Sequence, residues 1–259
     1  MSNSPIVAEL LAGMGYDYII IDHEHSNTDL STGQALLQAI NSVPRHSATT
    51  EAIVRLPGHN VVYMKKVLDS LRLPGGVLVP MVNDAKIARD VVQAIRYPQQ
   101  EWERNRSSGG GIRGCAVPFV RATGWGQMDS ETYLAKCQKE LLVIVQVETR
   151  EAVEAIDEIA AVDGIDMIFL GPMDLSCSIG KMGNFQDKEV ADLIRTAEQK
   201  IRDSPCMLGG FRSPGRDLKE MFGDAGYSLV CGSIDVALLS NTARADVATA
   251  HAAWEGGNE

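Results

Sequence analysis

Short apolar runs alternate with amphipathic stretches along nearly the whole chain. The runs are 16–22 (YDYIIID), 51–56 (EAIVRL), 75–82 (GGVLVPMV), 141–148 (LLVIVQVE), 165–171 (IDMIFLG), 205–211 (PCMLGGF) and 227–235 (YSLVCGSID). Each is short, largely apolar and often β-branched, and most lie near Gly, Pro or Asp, which predicts parallel strands buried on both faces. Between them, 29–43, 61–71, 84–97, 150–162, 189–204 and 217–226 carry helical patterns, and 236–254 reads as a closing helix. Thr149 and Asn83 are the expected N-caps of two of these. Strand–helix alternation implies a parallel sheet, either an open doubly wound one or a closed (β/α) barrel, and pattern alone leaves the two even.

Seven strands are predicted where a closed barrel has eight. The chain opens on a helix-like segment, PIVAELLAGMG (5–15), with no strand before it. A barrel reading therefore expects a missing first strand and a gap between 16–22 and 227–235. Residues 98–128, with three consecutive glycines and several arginines, break the rhythm. So long a connection is functional, disordered or a solvated excursion. Either this segment or oligomer contacts are expected to cover the gap in part.

Composition narrows the class. A length of 259 residues suits one barrel domain, 1–259, and 45% apolar residues can fill its core. The net charge of −10 argues against nucleic acid or an anionic membrane as partner. Five scattered cysteines, an odd number and with no CxxC, read as reduced thiols in a cytoplasmic protein. Neither a secretory signal nor a membrane-spanning apolar run is visible.

Polar residues that sit oddly in apolar strands gather at the strands' C-terminal ends. The first run ends in Asp22, followed by His23, Glu24 and His25. The second carries Arg55, and the fourth ends in Gln146 and Glu148, which the two-residue period puts on one face. The fifth leads into Gly171, Pro172, Met173 and Asp174. Parallel α/β architectures bind ligands at this edge. Singly, each residue has a structural explanation, such as a helix cap for Glu148 or Asp174 or a structural ion pair for Arg55. Jointly they suit one chemistry. Glu148 and Asp174 offer oxygen ligands to a hard divalent cation, Mg²⁺ before Mn²⁺ or Co²⁺. An open cation chelates a 2-oxo acid and stabilises its enolate, with Arg55 beside the growing charge. His25 is then the proton shuttle, with Asp22 orienting its ring.

The strings ELLAGMGYDYIIIDHEH, VRLP, RYP with GIRG, VQVET, FLGPMDLS and CGSIDVALL resemble the HpcH/HpaI-type pyruvate-dependent aldolases across almost the whole chain. The resemblance implies a (β/α)₈ TIM barrel of the phosphoenolpyruvate/pyruvate superfamily, often a hexamer with exchanged C-terminal helices. It implies a carbon–carbon lyase that acts on a 2-oxo acid and an aldehyde, by aldol cleavage or oxaloacetate decarboxylation. By the same resemblance His25, Asp22 and Arg55 are catalytic. Gln146, Gly171, Pro172, Met173 and Asp174 bind substrate, and Glu148 and Asp174 bind metal. The sequence departs from the pattern in lacking the first strand, in His23 where glycine is common, and in Met173 where alanine is common.

Three other readings compete. One is a cyclisation coupled to decarboxylation, as in macrophomate synthase. Another is an amidohydrolase-type site with His23 and His25 as a metal-binding HxH pair, although later strand ends hold Glu148 and Gly171 where such sites need histidine. His46, His59 and His251 fall in expected loop or helix. The third is a non-catalytic truncated homologue.

Overall fold

All seven expected strands form in a computed structural model that describes residues 1–43, 50–98 and 110–256. They are β1 (Tyr18–Asp22), β2 (Glu51–Arg55), β3 (Gly75–Val79), β4 (Leu141–Val147), β5 (Met167–Leu170), β6 (Met207–Phe211) and β7 (Leu229–Cys231). Every neighbouring pair is parallel and the spatial order is the chain order, β1 to β7. The sheet is a curled, TIM-barrel-like one. Among the described residues no strand joins β7 back to β1, so the sheet is open there, consistent with the expected gap.

The helices are α1 (Pro5–Ala12), α2 (Leu30–Ser42), α3 (Val61–Ser70), α4 (Ala85–Ile95), α5 (Ser130–Glu140), α6 (Arg150–Glu154), α7 (Ile156–Ala160), α8 (Pro172–Ser178), α9 (Lys188–Arg202), α10 (Leu218–Phe222) and α11 (Asp235–Gly256). Thr149 caps α6 as expected, accepting from the Ala152 amide at 3.1 Å. The cap of α4 is Asp84, one residue after the expected Asn83, because Asp84 is the extended residue whose carboxylate reaches the Ile87 amide. The single helix expected over 150–162 breaks in two at Ala155. Two helices have weak patterns. In α5 only Tyr133 and Cys137 are buried, and α8 begins at Pro172 inside what reads as a turn.

Alternation along the strands sorts the core into two layers. Val54, Val77, Val143, Val145, Ile168 and Leu208 face the helices. Ile53, Leu78, Ile144, Met167 and Phe169 face inward and plug the barrel, joined by Ile20, Phe211 and Leu229. The inward series changes character along each strand. Ile20 is followed two residues on by Asp22, Ile53 by Arg55, and Ile144 by Gln146. The floor of the barrel is therefore apolar and its C-terminal mouth is charged, which a period of two dictates once the strands are parallel.

The described part of the segment after α4 does not lie at the gap. Residues 99–109 lie outside the described residues, as does His46. From 110 to 128 the chain packs between helices. Arg113 is wholly buried, pairs with Asp69 at 3.0 Å and stacks over Tyr97 at 4.3 Å. Arg121 donates to the Ser70 carbonyl and to Asn41. These buried guanidiniums tie the described part of the segment to α2, to α3 and to Tyr97 just past α4, so it does not cover the gap. Residues 1–4 lie there instead. The Met1 ammonium and Ser2 amide reach Asp235 at 3.1 and 2.9 Å, and Asn3 accepts from Thr28 at 2.6 Å.

The gap is a cavity of about 550 Å³ lined by Leu11, Ile19, Ile21, Phe222, Leu229 and Val230, with Asp22 and Arg55 also on its wall. Edge strands with wet apolar flanks are weak points, at about 25 cal/mol per Å² of apolar surface left in water. An apolar strand of roughly six residues fused ahead of Met1 should pair with both edges and raise the melting temperature and turnover together. An unchanged melting temperature would show that no strand pairs there.

Candidate active site

Asp22 and Arg55 are cross-strand partners in the β1–β2 register. Both are nearly buried, and the guanidinium forks onto the carboxylate. Nε donates to Oδ1 and Nη2 to Oδ2, each at 2.8 Å. Asp22 Oδ1 also accepts from the Glu24 amide at 3.0 Å. Burial pushes the Asp22 carboxyl up, but Arg55 and the backbone donors outweigh it and hold the group below the usual carboxylate range. Arg55 lies over the Phe211 ring, 5.2 Å from its centroid, and Nη1 is 3.3 Å from Glu24 Oε2. It is a fixed, desolvated positive charge at the mouth of the barrel.

The Asp22 carboxylate is engaged by the permanent cation across the strand pair, and it also accepts from the backbone of Glu24 and of His25. The carboxylate beside the His25 ring is Glu24, with Oε2 at 3.7 Å from Nε2. The ring itself is 54% exposed. Burial raises the pKa of Glu24, against the pull of Arg55 and His25.

His23 turns elsewhere. Its Nδ1 shares a 2.7 Å hydrogen bond with the Tyr63 hydroxyl of α3. A Cβ at residue 33 would sit 2.5 Å from the imidazole, so Gly33 of α2 makes room for the ring. The imidazole of the would-be HxH pair is thus committed to the helical layer. Together with Glu148 and Gly171 at the later strand ends, this removes the geometric basis for the amidohydrolase reading.

Gln146 and Glu148 lie on one face, as the period predicts, and each is 1% exposed. Gln146 Nε2 donates to Glu148 Oε2. Glu148 Oε1 accepts from the Met81 amide at 2.7 Å. Met81 holds a left-handed φ of 57°, uncommon for a residue with a side chain, and that turn aims its amide at Glu148. Gly171 is required here for space, since a Cβ would meet Glu148 Oε2 at 2.7 Å and Gln146 Nε2 at 3.0 Å. Burial pushes the Glu148 carboxyl up to about 7, aided by the charges of Glu24 and Asp174 and opposed by its hydrogen bonds. Asp174 stands exposed in the first turn of α8, two residues past buried Pro172 and next to exposed Met173.

Two acceptors at this mouth are buried without a hydrogen bond, Gln146 Oε1 and Glu24 Oε2. Among the described residues no three His, Cys, Asp or Glu side chains converge closely enough to hold an ion by themselves. Two carboxylates still fit a Mg²⁺-like ion, which dehydrates reluctantly and keeps several waters. Orphaned acceptors beside them suit a site that receives proton donors such as bound water. Glu24 and Met81 are the residues that sequence reasoning passed over. Glu24 was visible within the HEH string, whereas nothing local marks the Met81 amide.

Similarity to known proteins agrees with this architecture. Residues 1–241 match the HpcH/HpaI aldolase/citrate lyase family. A hydroxypyruvate/pyruvate aldolase of Roseovarius nubinhibens is 35% identical over 244 residues, covering 94% of this chain and 87% of its own. A 4-hydroxy-2-oxo-heptane-1,7-dioate aldolase of Escherichia coli is 35% identical over 243 residues, covering 94% and 85%. The crystal structure of an HpcH/HpaI aldolase/citrate lyase family protein from Burkholderia cenocepacia superposes with a TM-score of 0.84 at 28% identity, covering 96% and 91%. Macrophomate synthase shares the fold, with a TM-score of 0.77 at 20% identity and coverage of 97% and 82%. The chain belongs to the HpcH/HpaI aldolase/citrate lyase family.

Proposed function

We propose that this protein is a divalent-metal-dependent carbon–carbon lyase that cleaves or forms 4-hydroxy-2-oxo acids, and decarboxylates oxaloacetate, through a pyruvate enolate. The observation that carries the reading is the meeting of buried Glu148 and Gln146 with an Arg55 locked onto Asp22, at the charged mouth of an apolar barrel. Glu148 and Asp174 are the metal ligands, for Mg²⁺ first and Mn²⁺ or Co²⁺ as alternatives. The ion supplies Lewis-acid polarisation of the 2-oxo acid. Gln146 offers its amide to a substrate oxygen, and Gly171, Pro172, Met173 and Asp174 form the rim around the substrate carboxylate.

In aldol cleavage His25 takes the proton of the 4-hydroxyl, the C3–C4 bond breaks, and its electron pair enters the pyruvate fragment as the enolate. Arg55 lies beside the oxygen on which that charge grows. Asp22 keeps the guanidinium oriented and desolvated, so no reorganisation is needed as charge develops. Exposure of the His25 ring supports its role at the acceptor side, where the aldehyde enters and leaves.

The wider reading is a single barrel domain, cytoplasmic and homo-oligomeric, a hexamer by family resemblance. Five cysteines without a disulfide support the reducing compartment. Among the described residues no helix is long and apolar enough to cross a membrane. The helix α11 leaves Leu238, Leu239, Val247 and Trp254 exposed, the kind of surface that an oligomer covers.

The test compares two reactions of purified protein, oxaloacetate decarboxylation and cleavage of a 4-hydroxy-2-oxo acid, with added Mg²⁺ or Mn²⁺ and with EDTA. Both should require the ion. Decarboxylation involves no aldol hydroxyl, so His25→Ala should lose aldol cleavage by about 10²–10⁴-fold and decarboxylation far less. Turnover indifferent to EDTA would refute the metal, and equal losses would refute the His25 role.

A further inference from the structure

Glu24 remains without a function in this scheme, although its position is unusual. Its side chain is 15% exposed, and Oε2 is buried with no hydrogen-bond donor. Arg55 Nη1 is close at 3.3 Å, but the pair does not make a hydrogen bond, and the fork of Arg55 is already engaged by Asp22. The charges of Asp22 and Asp174 both act on Glu24, and Glu24 in turn acts on Glu148. Glu24 thus shares the mouth with three other carboxylates, Asp22, Asp174 and Glu148. Although Arg55 and His25 lie near it, its buried Oε2 still lacks a proton donor, which is costly to leave unmet.

The second orphan sharpens the point. Gln146 is 1% exposed and its Nε2 is spent on Glu148, so Oε1 also faces the site without a donor. Both orphans are acceptors. Each can be answered by a proton donor that enters the site. Water on a cation carries two acidified protons and can answer a carboxylate and an amide oxygen together.

We propose that Glu24 is the outer-sphere carboxylate of the cation site: it accepts hydrogen bonds from water on the ion held by Glu148 and Asp174 and does not itself ligate the ion. The inference rests on the two-carboxylate metal reading above. It gives Glu24 a positioning role, orienting the bound water and balancing Arg55, and it explains why two protein ligands suffice for the ion.

The experiment titrates Mn²⁺ into metal-free full-length protein and follows the free ion by electron paramagnetic resonance, a readout that needs no turnover. Glu148→Ala should abolish tight binding. Glu24→Ala should weaken binding by about 10–100-fold, the usual cost of losing an outer-shell partner. Glu24→Gln, which keeps an acceptor oxygen, should stay within about threefold of wild type, well short of that loss. Melting curves of each variant check the fold. Mn²⁺ affinity unchanged in Glu24→Ala, with Glu148→Ala inactive in binding, overturns the proposal and leaves Glu24 as a partner of Arg55 and His25 only. A Glu24→Gln variant as weak as Glu148→Ala makes Glu24 a direct ligand and also overturns it. If Glu148→Ala binds Mn²⁺ normally, the metal reading fails and this inference falls with it.

Discussion

Glu148→Ala is expected to abolish metal-dependent turnover in both reactions while leaving the fold nearly intact, and Asp174→Ala should do the same. The side chain of Glu148 is held by the Met81 amide and the Gln146 amide group, so truncation leaves two donors without it. Each costs on the order of 1–3 kcal/mol if it stays unpaired and dry. Against that, the variant removes a carboxylate that burial pushes up to about 7 from an ordinary 4.5. A carboxyl whose folded pKa is raised binds its proton more tightly in the folded state. Its contribution to stability is fully present below 4.5 and is lost as pH rises through about 7. Metal-free protein should therefore melt at a lower temperature at pH 8 than at pH 5, and Glu148→Gln should flatten that slope. Added Mg²⁺ should restore the wild-type melting temperature most at the higher pH, where the carboxylate is ready to receive it. The checks are scanning calorimetry with and without EDTA, and turnover of the alanine variant. An EDTA-treated Glu148→Ala protein with full activity would sink the assignment.

Arg55→Lys is expected to lose about 10²–10³-fold in turnover number, the usual consequence of removing a preorganised charge stabiliser, with a much smaller change in KM. Charge alone is conserved by this substitution, but geometry is not. Lysine cannot donate two parallel hydrogen bonds to Asp22 while placing a third nitrogen near Glu24, nor can it lie flat over Phe211. The ammonium would also draw water into a place now filled by a planar, weakly hydrated group. Both reactions pass through the enolate, so both should fall together. That distinguishes Arg55 from His25, whose loss should separate them. Steady-state kinetics for the two substrates decide it, and near-native rates for Arg55→Lys in both would show that the guanidinium only braces Asp22.

Much of the scaffold is legible in the sequence. Seven apolar runs became seven parallel strands, because a strand buried on both faces needs little beyond short, branched, apolar sequence and a turn at each end. The shared face of Gln146 and Glu148 followed from the two-residue period, a property of the backbone alone. The opening between β1 and β7 followed from counting. Two helices are not legible in the sequence, α5 because only two of its residues are buried and α8 because its proline start reads as a turn.

The site's partnerships were a different matter. Asp22 lies three residues from His25 in sequence and 33 from Arg55, yet the β1–β2 register sets it opposite Arg55, which takes both its oxygens. Met81 meets Glu148 across 67 residues through a left-handed turn that no local motif announces. Arg113 and Arg121, in a segment that local sequence left open between a functional loop and a solvated excursion, are buried among helices. Local sequence determined which residues are strand, which face they share and which end carries charge, since these depend on steric periodicity over a few residues. Only the tertiary structure decided which charge holds which, because strand register and helix packing set distances between residues far apart in the chain, and ion pairing in a buried mouth goes to whichever partner those distances favour.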